Sequence, residues 1–203
     1  IQLLHTDLNG TDFLYHGSTL HLPLIGVHQS LNVCTVLAVT EQLKQKGFPI
    51  EINHIKAGLE KVQFPARWEI VRKHPLIIID GAHNQDGIDM LKASVKQYLP
   101  NRTIVAVIGA LRDKDTDYMI HVLADVFHHV ITITPNNPRA LDAKTFALRW
   151  IACGQQTTAA EDIDDAISRA EQLIGENGVI LVCGSLFVAA EAREKIKYHF
   201  MEK

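Results

Sequence analysis

The clearest indication of the fold is the stretch Leu76-Ile-Ile-Ile-Asp-Gly-Ala-His-Asn84. Four consecutive apolar residues are followed at once by a polar, glycine-containing loop, and a segment with helical spacing begins directly after it. A short, continuously apolar run is typical of a strand that is buried on both faces, as in a parallel sheet covered by helices. The stretch therefore predicts an α/β fold with a polar loop at the carboxyl end of a buried strand.

The same pattern repeats along the chain from about residue 65 onward. Three further apolar runs, at 104–108, 130–134 and 179–183, alternate with segments of helical spacing. The predicted helices lie at 86–98, 116–127, 142–153, 162–174 and 186–198. Alternating strands and helices with right-handed crossovers give a doubly wound, mostly parallel sheet with helices on both faces. We predict this α/β domain for residues 65–203.

Residues 1–64 have a different organisation. Short strands are predicted near Asp12–Tyr15 and Thr19–Leu22, followed by a long helix in which Leu31, Cys34 and Leu37 fall at helical spacing, and by a shorter second helix. Two strands and two helices bury little apolar surface on their own. The chain also begins Ile-Gln-Leu-Leu, without Met or a signal peptide. We interpret residues 1–64 as the end of another domain in a longer protein.

Composition excludes several classes of function. The chain has 203 residues and is 47% hydrophobic and 21% charged, with a net charge of −3. That charge does not favour binding to nucleic acid. No apolar run is long enough to cross a membrane, and three scattered cysteines form neither a disulfide framework nor a CxxC zinc pair. We expect a cytoplasmic protein with reduced thiols, without a nucleic-acid or membrane partner.

Three polar loops follow predicted strands, at Asp80–Asn84, Gly109–Asp115 and Cys183–Ser185. Ligands bind at the carboxyl edge of a parallel sheet, so the three loops together indicate a site. Each loop taken singly is better explained as a tight turn with a helix cap.

Several familiar catalytic patterns are missing from the sequence. It contains no GxxxxGK[ST] phosphate loop and no GxGxxG fingerprint. His121, His128 and His129 are interpreted as surface residues rather than metal ligands, because adjacent residues in a strand point to opposite faces. A Ser-His-Asp hydrolase is disfavoured because no GxSxG elbow is present.

Five segments in order carry a resemblance to one family. Gly26–Asn32 resembles the HQxxN stretch of folylpolyglutamate and dihydrofolate synthases, and Phe64–Glu69 resembles their PGRxE linker. Leu76–Asn84 resembles their DGAHN loop and the strand before it. Gly109–Asp115 and Cys183–Phe187 resemble their DKD loop and GSLY-type turn. The wider relatives are the Mur ligases of cell-wall synthesis, so residues 65–203 resemble the Rossmann-like carboxy-terminal Mur-ligase domain and residues 1–64 the end of the central ATPase domain.

The resemblance implies an ATP-dependent ligase that adds L-glutamate to a folate or to dihydropteroate. In such enzymes ATP phosphorylates a substrate carboxylate, and an amine attacks the resulting acyl phosphate. The reaction requires cationic donors around the transferred phosphoryl group and exclusion of water. The resemblance also implies Mg²⁺, with its ligands in the amino-terminal half, and a monomeric full-length protein. We expect the 203-residue chain to be inactive alone.

The resemblance assigns catalytic roles to Arg67 and His83. Arg67 is expected to bind the nucleotide phosphates, since a guanidinium presents several donors in a fixed fork; the alternative is a surface ion pair with Glu69. His83 is expected to contact the γ-phosphate or the incoming amino acid, and the alternative is a neutral histidine packed against its loop. Asp80 is expected to accept hydrogen bonds from the ATP ribose, to cap the helix that follows, or both.

Further binding residues are implied by the same resemblance. Gln29 and Asn32 are expected to bind the edge of the adenine. Asn84 and Ser185 are expected to bind the amino-acid substrate, although a helix cap explains either residue equally well. Lys114 is expected near the phosphates or in a solvated charge cluster.

The sequence departs from the family pattern at Ala66, in place of the Gly of PGR, and at Gln85, in place of the Pro after DGAHN. The first change matters if that position requires a positive φ. Two other functions stay open: a Mur-type ligase acting on a cell-wall peptide, and an α/β module that binds a nucleotide without catalysis.

Overall fold

The computed structural model describes residues 1–26, 28–175 and 177–201, with side chains described up to residue 197. The chain divides into two compact units, Ile1–Pro65 and Ala66–Lys203. In the first unit, an antiparallel three-stranded sheet is followed by two helices. Its elements are β1 (Gln2–Asp7), β2 (Gly10–Tyr15), β3 (Ser18–Leu22), α1 (Gln29–Gln45) and α2 (Ile52–Glu60).

The first unit has a small core of its own. Val33 and Leu37 of α1 and Ile55 of α2 pack with Phe13 and Leu20 of the sheet. Strand β1 was not predicted, and its residues are mostly exposed, so no buried face marks the sequence.

The long helix predicted from the spacing of Leu31, Cys34 and Leu37 is α1, but these three residues do not share a buried face. Leu37 is buried, whereas Leu31 is 74% exposed and Cys34 is exposed. The helix carries apolar residues on all sides, and its apolar positions alone therefore do not identify the face that packs against the sheet.

The second unit is an α/β domain with a six-stranded sheet in the order β4-β5-β9-β6-β7-β8. The five neighbouring strands β5, β9, β6, β7 and β8 are parallel to one another. Strand β4 at the edge pairs antiparallel with β5. Its elements are β4 (Glu69–Lys73), β5 (Leu76–Ile79), α3 (Gln85–Tyr98), β6 (Ile104–Ile108), α4 (Thr116–Leu123), β7 (His129–Thr132), α5 (Ala143–Ala152), β8 (Thr157–Ala159), α6 (Ile163–Leu173), β9 (Val179–Cys183) and α7 (Leu186–Met201). The predicted mostly parallel α/β fold is confirmed.

Both faces of the sheet carry helices. Ile77, Val107 and Ile180 point to the face on which Ala166 of α6 and Ala189 of α7 pack. Neighbouring residues of the same strands point to the opposite face because side chains alternate along a strand. Helices α3, α4 and α5 lie against one another in that order, and α5 also contacts β7 and β8.

Three predicted strands, β5, β6 and β9, match the structure residue for residue and are entirely buried. The edge strands β4 and β8 were not predicted. Strand β4 is only partly buried and carries charged residues, and β8 has three residues, so neither shows the continuous apolar run of a central strand.

Candidate functional site

The polar loops meet at the carboxyl edge of the second unit's sheet, where β5, β9 and β6 are neighbours. A cavity of about 130 Å³ opens there. Its lining comes from the loops after four strands: His83, Leu111, Lys114, Arg139, Gly184, Ser185, Leu186 and Phe187. The strand order thus brings together residues that lie a hundred positions apart in the sequence.

The ring of His83 is held by its own loop. Its Nδ1 lies 2.7 Å from the carbonyl oxygen of Gly81. Because a carbonyl only accepts, Nδ1 carries the proton, and Nε2 of the neutral ring is an acceptor. This half-buried imidazole is suited to receive a hydrogen bond from an amine, and it binds an anion only when protonated.

The start of α7 forms the floor of the cavity. Gly184 has φ +90°, and a Cβ there would lie 2.6 Å from Ile108 Cγ1 and 2.8 Å from the carbonyl oxygen of Gly109. Only glycine allows this close approach of the β9 and β6 loops. Ser185 is 3% exposed, and its Oγ accepts from the N–H of Phe187 at 3.2 Å. Ser185 therefore caps α7 while its hydroxyl proton can still be donated.

Lys114 and Arg139 place two cationic side chains in the lining of the cavity. The loop of Arg139 is bound to the loop of Lys114 by backbone bonds: Arg112 N–H donates to the Arg139 carbonyl at 2.8 Å, and Leu141 N–H to the Ala110 carbonyl at 2.9 Å. Arg139 Nη1 also lies 3.2 Å from Asp113 Oδ2. Arg139 was not predicted as a site residue, although Asn136-Asn-Pro-Arg139 is a polar loop after a predicted strand, as are the three loops at 80–84, 109–115 and 183–185.

Asn84 acts as a helix cap in the structure. Its Oδ1 accepts from the N–H of Gly87 at 3.0 Å at the start of α3. It is not among the residues that line the cavity. The helix-cap interpretation accounts for this geometry, and a substrate contact of Asn84 stays a prediction.

Arg67 lies between two residues with left-handed backbone conformation. Ala66 has φ +58° and Trp68 has φ +46°, and both are buried, whereas Arg67 is exposed. Ala66 therefore occupies a position that favours glycine, which is the condition under which its departure from the family pattern matters. Such conformations cost of order 1–3 kcal/mol each and cluster at functional sites. We call residues 66–68 the linker turn.

Two carboxylates hold the linker turn. The N–H of Ala66 donates to Glu69 Oε2 at 3.0 Å, and the N–H of Trp68 donates to Asp80 Oδ2 at 2.9 Å. The other oxygen of Asp80 accepts from the N–H of Ala82 at 2.8 Å. Asp80 therefore joins the linker turn to the loop that carries His83. The prediction that Asp80 caps the following helix is wrong, because the N-cap of α3 is Asn84 and neither N–H bound by Asp80 belongs to that helix.

The electrostatics of these two carboxylates differ. Burial raises the pKa of Asp80, against the opposing effects of the Ala82 and Trp68 N–H groups and the Arg67 charge. Burial also tends to raise the pKa of Glu69, but the Ala66 N–H and the cations Lys197 and Arg193 outweigh it, and the pKa is lowered. Glu69 receives Arg193 Nε at 2.9 Å and Lys197 Nζ at 3.1 Å.

Gln29 and Asn32 lie in the first unit and form a local network at the start of α1. Gln29 is 6% exposed, its Oε1 accepts from Asn32 Nδ2 at 2.9 Å, and its Nε2 lies 2.9 Å from His28 Nε2. Asn32 is exposed. The network fixes the orientation of the Gln29 amide, since a carbonyl oxygen accepts and an amide nitrogen donates.

No group of three or more His, Cys, Asp or Glu side chains that could hold a metal ion occurs in the part of the chain that the structure describes. In the same residues, no helix is both long and apolar enough to cross a membrane.

The second unit is thus an α/β domain whose mostly parallel sheet presents a cationic cavity at its carboxyl edge, and whose linker turn, held by two carboxylates, carries an exposed arginine. The family described as "Mur ligase, glutamate ligase domain" matches residues 66–186. The chain belongs to this family of ligases.

Relatives found by sequence similarity carry the names of the family whose motifs this sequence resembles. The chain is 33% identical over 175 residues to the dihydrofolate synthase/folylpolyglutamate synthase of Bacillus subtilis, covering 86% of the chain and 40% of that protein. It is 31% identical over 196 residues to the Mycobacterium tuberculosis enzyme of the same name, with coverages of 87% and 40%. The resemblance to folylpolyglutamate and dihydrofolate synthases is confirmed, and the chain spans about 40% of the length of these relatives.

Solved structures show the same fold. The Mycobacterium tuberculosis folylpolyglutamate synthase complexed with ADP superposes with a TM-score of 0.82 at 29% identity, over 96% of this chain and 47% of that one. Escherichia coli FolC in complex with DHPP and ADP gives a TM-score of 0.78 at 26% identity, over 98% and 46%.

Proposed function

We propose that this chain is the carboxy-terminal part of an ATP-dependent folate:glutamate amide ligase, a folylpolyglutamate synthase with or without dihydrofolate synthase activity. The observation that carries the proposal is the cavity in which His83, Lys114, Arg139 and Ser185 converge. Residues 1–65 then belong to the ATP-binding domain and residues 66–203 are the ligase domain that binds the amino acid.

The cavity suits a small amino acid with two carboxylates. Arg139 and Lys114 supply cationic donors, and Ser185 supplies a hydroxyl at the amino-terminal, positive end of α7. These groups would hold the carboxylates of L-glutamate. His83 Nε2 would accept a hydrogen bond from the glutamate amine and receive its proton as the amine becomes a nucleophile.

Arg67 and Asp80 would serve the nucleotide. The exposed guanidinium of Arg67 would bind the phosphates of ATP, on which charge accumulates during phosphoryl transfer. Each oxygen of Asp80 already accepts one backbone N–H, and a carboxylate oxygen has room for a second donor, such as a ribose hydroxyl. Gln29 and Asn32 would bind the adenine edge, and Asn84 would support the amino acid through its loop.

The reaction would proceed in two steps. A substrate carboxylate oxygen attacks the γ-phosphorus of ATP, the bond to ADP breaks, and an acyl phosphate forms. The glutamate amine then attacks the acyl carbon, phosphate leaves with the C–O electron pair, and the amine loses a proton. The ligands of Mg²⁺ would lie in the amino-terminal part of the enzyme, as the family resemblance implies.

The names of the relatives favour this function over a Mur-type ligase acting on a cell-wall peptide, and over a module without catalysis. All three functions can be separated with the complete protein encoded by the gene. The assay supplies ATP, Mg²⁺, L-glutamate and either dihydropteroate or a reduced folate, and mass spectrometry follows the pterin.

A gain of one or more glutamyl units is expected, and the pterin consumed separates the two synthase activities. ATP hydrolysis that responds only to a cell-wall precursor would replace this function with the Mur-type one. Nucleotide binding without any ligated product would favour the non-catalytic module. The 203-residue chain assayed alone is the matched control and is expected to form no product.

A further inference from the structure

The linker turn is strained at both ends, and the residue between its two left-handed positions is Arg67. Left-handed backbone is unfavourable for a residue with a Cβ, and more so for a bulky one such as Trp68. The turn therefore persists only because surrounding groups hold it. Its partners determine the direction in which the Arg67 side chain leaves the backbone.

Glu69 is the partner that connects the turn to helix α7, whereas Asp80 and the Gly81 N–H, which donates to the Ala66 carbonyl at 2.7 Å, connect it to the loop after β5. One carboxylate accepts the Ala66 N–H and also binds Arg193 and Lys197, which lie four residues apart on one face of α7. The side chain of Glu69 is 18% exposed, so these bonds form in a partly desolvated setting. Helix α7 begins at Leu186, in the floor of the amino-acid cavity.

We propose that Glu69 is a positioning residue for ligation, which acts through Arg67 by holding the linker turn in its strained conformation and tying it to α7. This inference rests on the proposed role of Arg67 at the nucleotide phosphates. Glu69 itself touches no reacting atom. Without it the buried Ala66 N–H loses its acceptor, the left-handed conformation relaxes, and the guanidinium spreads over many directions.

A double-mutant cycle in the complete protein tests the inference. Glu69→Ala is expected to lower kcat about 10- to 100-fold, the scale of a small misplacement of a catalytic group, while KM for L-glutamate stays unchanged. Combined with Arg67→Met, Glu69→Ala is expected to cause no further loss, because its effect passes through Arg67. Glu69→Gln keeps an oxygen for the Ala66 N–H and is expected to restore most of kcat.

The matched control is Glu171→Gln. Glu171 forms an ion pair with Arg72, so it also joins β4 to a helix, but it does not bind the linker turn. Its kcat is expected to equal that of the wild type. Losses from Glu69→Ala and Arg67→Met that simply multiply would overturn the inference and leave the role of Arg67 intact. If Arg67→Met has normal kcat, the proposed role of Arg67 fails, and the inference fails with it.

Limited trypsin digestion gives a readout that does not depend on activity. Trypsin cleaves after Arg67, and a turn held by Glu69 resists the extended conformation that cleavage requires. Glu69→Ala is expected to speed the appearance of the fragment ending at Arg67 by about tenfold, and Glu171→Gln not at all. Equal cleavage rates in wild type and Glu69→Ala, with native tryptophan fluorescence in both, would show that Glu69 does not hold the turn.

Discussion

The two units differ in how completely they bury their apolar surface. In the second unit, α6 buries Ile163, Ala166 and Ala170 against the sheet and presents charged residues to solvent. In the first unit, α1 buries Val33 and Leu37 but leaves apolar side chains on its other sides exposed, namely Leu31, Val36, Val39 and Leu43. A helix that is apolar all round is normally buried in a larger core.

We infer from this contrast that the two units depend on the rest of the protein to different degrees. The sheet of the second unit has helices on both faces, so the hydrophobic core of this unit is complete in itself. The first unit has a single three-stranded sheet and only a small apolar cluster. This supports the proposal that residues 1–65 form part of a larger domain, whereas Ala66–Lys203 is a self-contained one.

The largest expected effect comes from the core of the second unit. Ile180 is fully buried at the centre of the sheet, and Ile180→Ala is expected to lower the free energy of unfolding by roughly 2–5 kcal/mol. Both tryptophans, Trp68 and Trp150, lie in this unit, so tryptophan fluorescence in urea reports its unfolding alone. Far-UV circular dichroism reports both units.

If the two units unfold independently, Ile180→Ala shifts the fluorescence transition to lower urea concentration. The part of the circular dichroism transition that comes from the first unit then keeps its wild-type midpoint. Val39→Ala, at an exposed position of the first unit, is the control and should leave the fluorescence transition unchanged. If Ile180→Ala moves both signals by the same amount, the two units unfold as one, and the second unit is not self-contained.

A smaller effect is expected at Leu31, and it should depend on the length of the protein. In the 203-residue chain Leu31 is 74% exposed, so Leu31→Ala is expected to change the free energy of unfolding by less than about 0.5 kcal/mol. In the complete protein, burial against the rest of the domain would raise the loss to about 2 kcal/mol.

The measurement is urea unfolding followed by circular dichroism, with Leu37→Ala as the matched variant. Leu37 is buried within the first unit, so Leu37→Ala should lower the free energy of unfolding of both the 203-residue chain and the complete protein. A negligible effect of Leu31→Ala in the complete protein would mean that this face of α1 stays exposed to solvent there. The core of the first unit would then be as complete as that of the second.

The sequence predicted the second unit better than the first for a physical reason. Strands β5, β6 and β9 are covered on both faces, so every residue must be apolar and the run marks the strand without reference to its neighbours. The sequence does not identify the buried face of α1, because apolar residues lie on all sides of this helix. Edge strands such as β4 escape detection because half of their surface meets solvent.

The candidate site was only partly predictable. His83 and Ser185 were found because they follow apolar runs directly, and the structure brings both to the cavity. Arg139 was missed because its approach to Lys114 depends on β7 lying beside β6, which the chain order alone does not fix. The left-handed conformation of Trp68 was not predicted either, since nothing in its residue type favours a positive φ.

The smallest expected effect is a difference in how acid changes stability. In the first unit, the hydrogen bond from the Asn9 backbone lowers the pKa of Asp7, and hydrogen bonds from Lys44 and Tyr15 lower that of Glu41. Both carboxylates are accessible to solvent, so their effects on stability are screened. In the second unit, Asp80 and Glu69 hold the linker turn from partly buried positions, and their pKa values move in opposite directions.

Asp80 and Glu69 hold the same turn but have pKa shifts of opposite sign, so their contributions to stability depend on pH in opposite ways. The raised pKa of Asp80 contributes stability that is fully present below its unfolded pKa and is lost as pH rises through the folded value. The lowered pKa of Glu69 contributes stability that is present above its unfolded pKa and is lost as pH falls through the folded value. Asp80→Asn should thus be more damaging in acid than at neutral pH, and Glu69→Gln more damaging at neutral pH than in acid.

Urea unfolding of both variants and the wild type, followed by tryptophan fluorescence from pH 3.5 to 7, checks this crossing. Glu171→Gln serves as the control, because Glu171 is a more exposed carboxylate paired with Arg72 of the same edge strand. If Asp80→Asn and Glu69→Gln follow parallel pH trends, the two carboxylates do not hold the turn from different electrostatic settings. Crossing trends would show that Asp80 and Glu69 hold the linker turn from opposite electrostatic settings within the second unit.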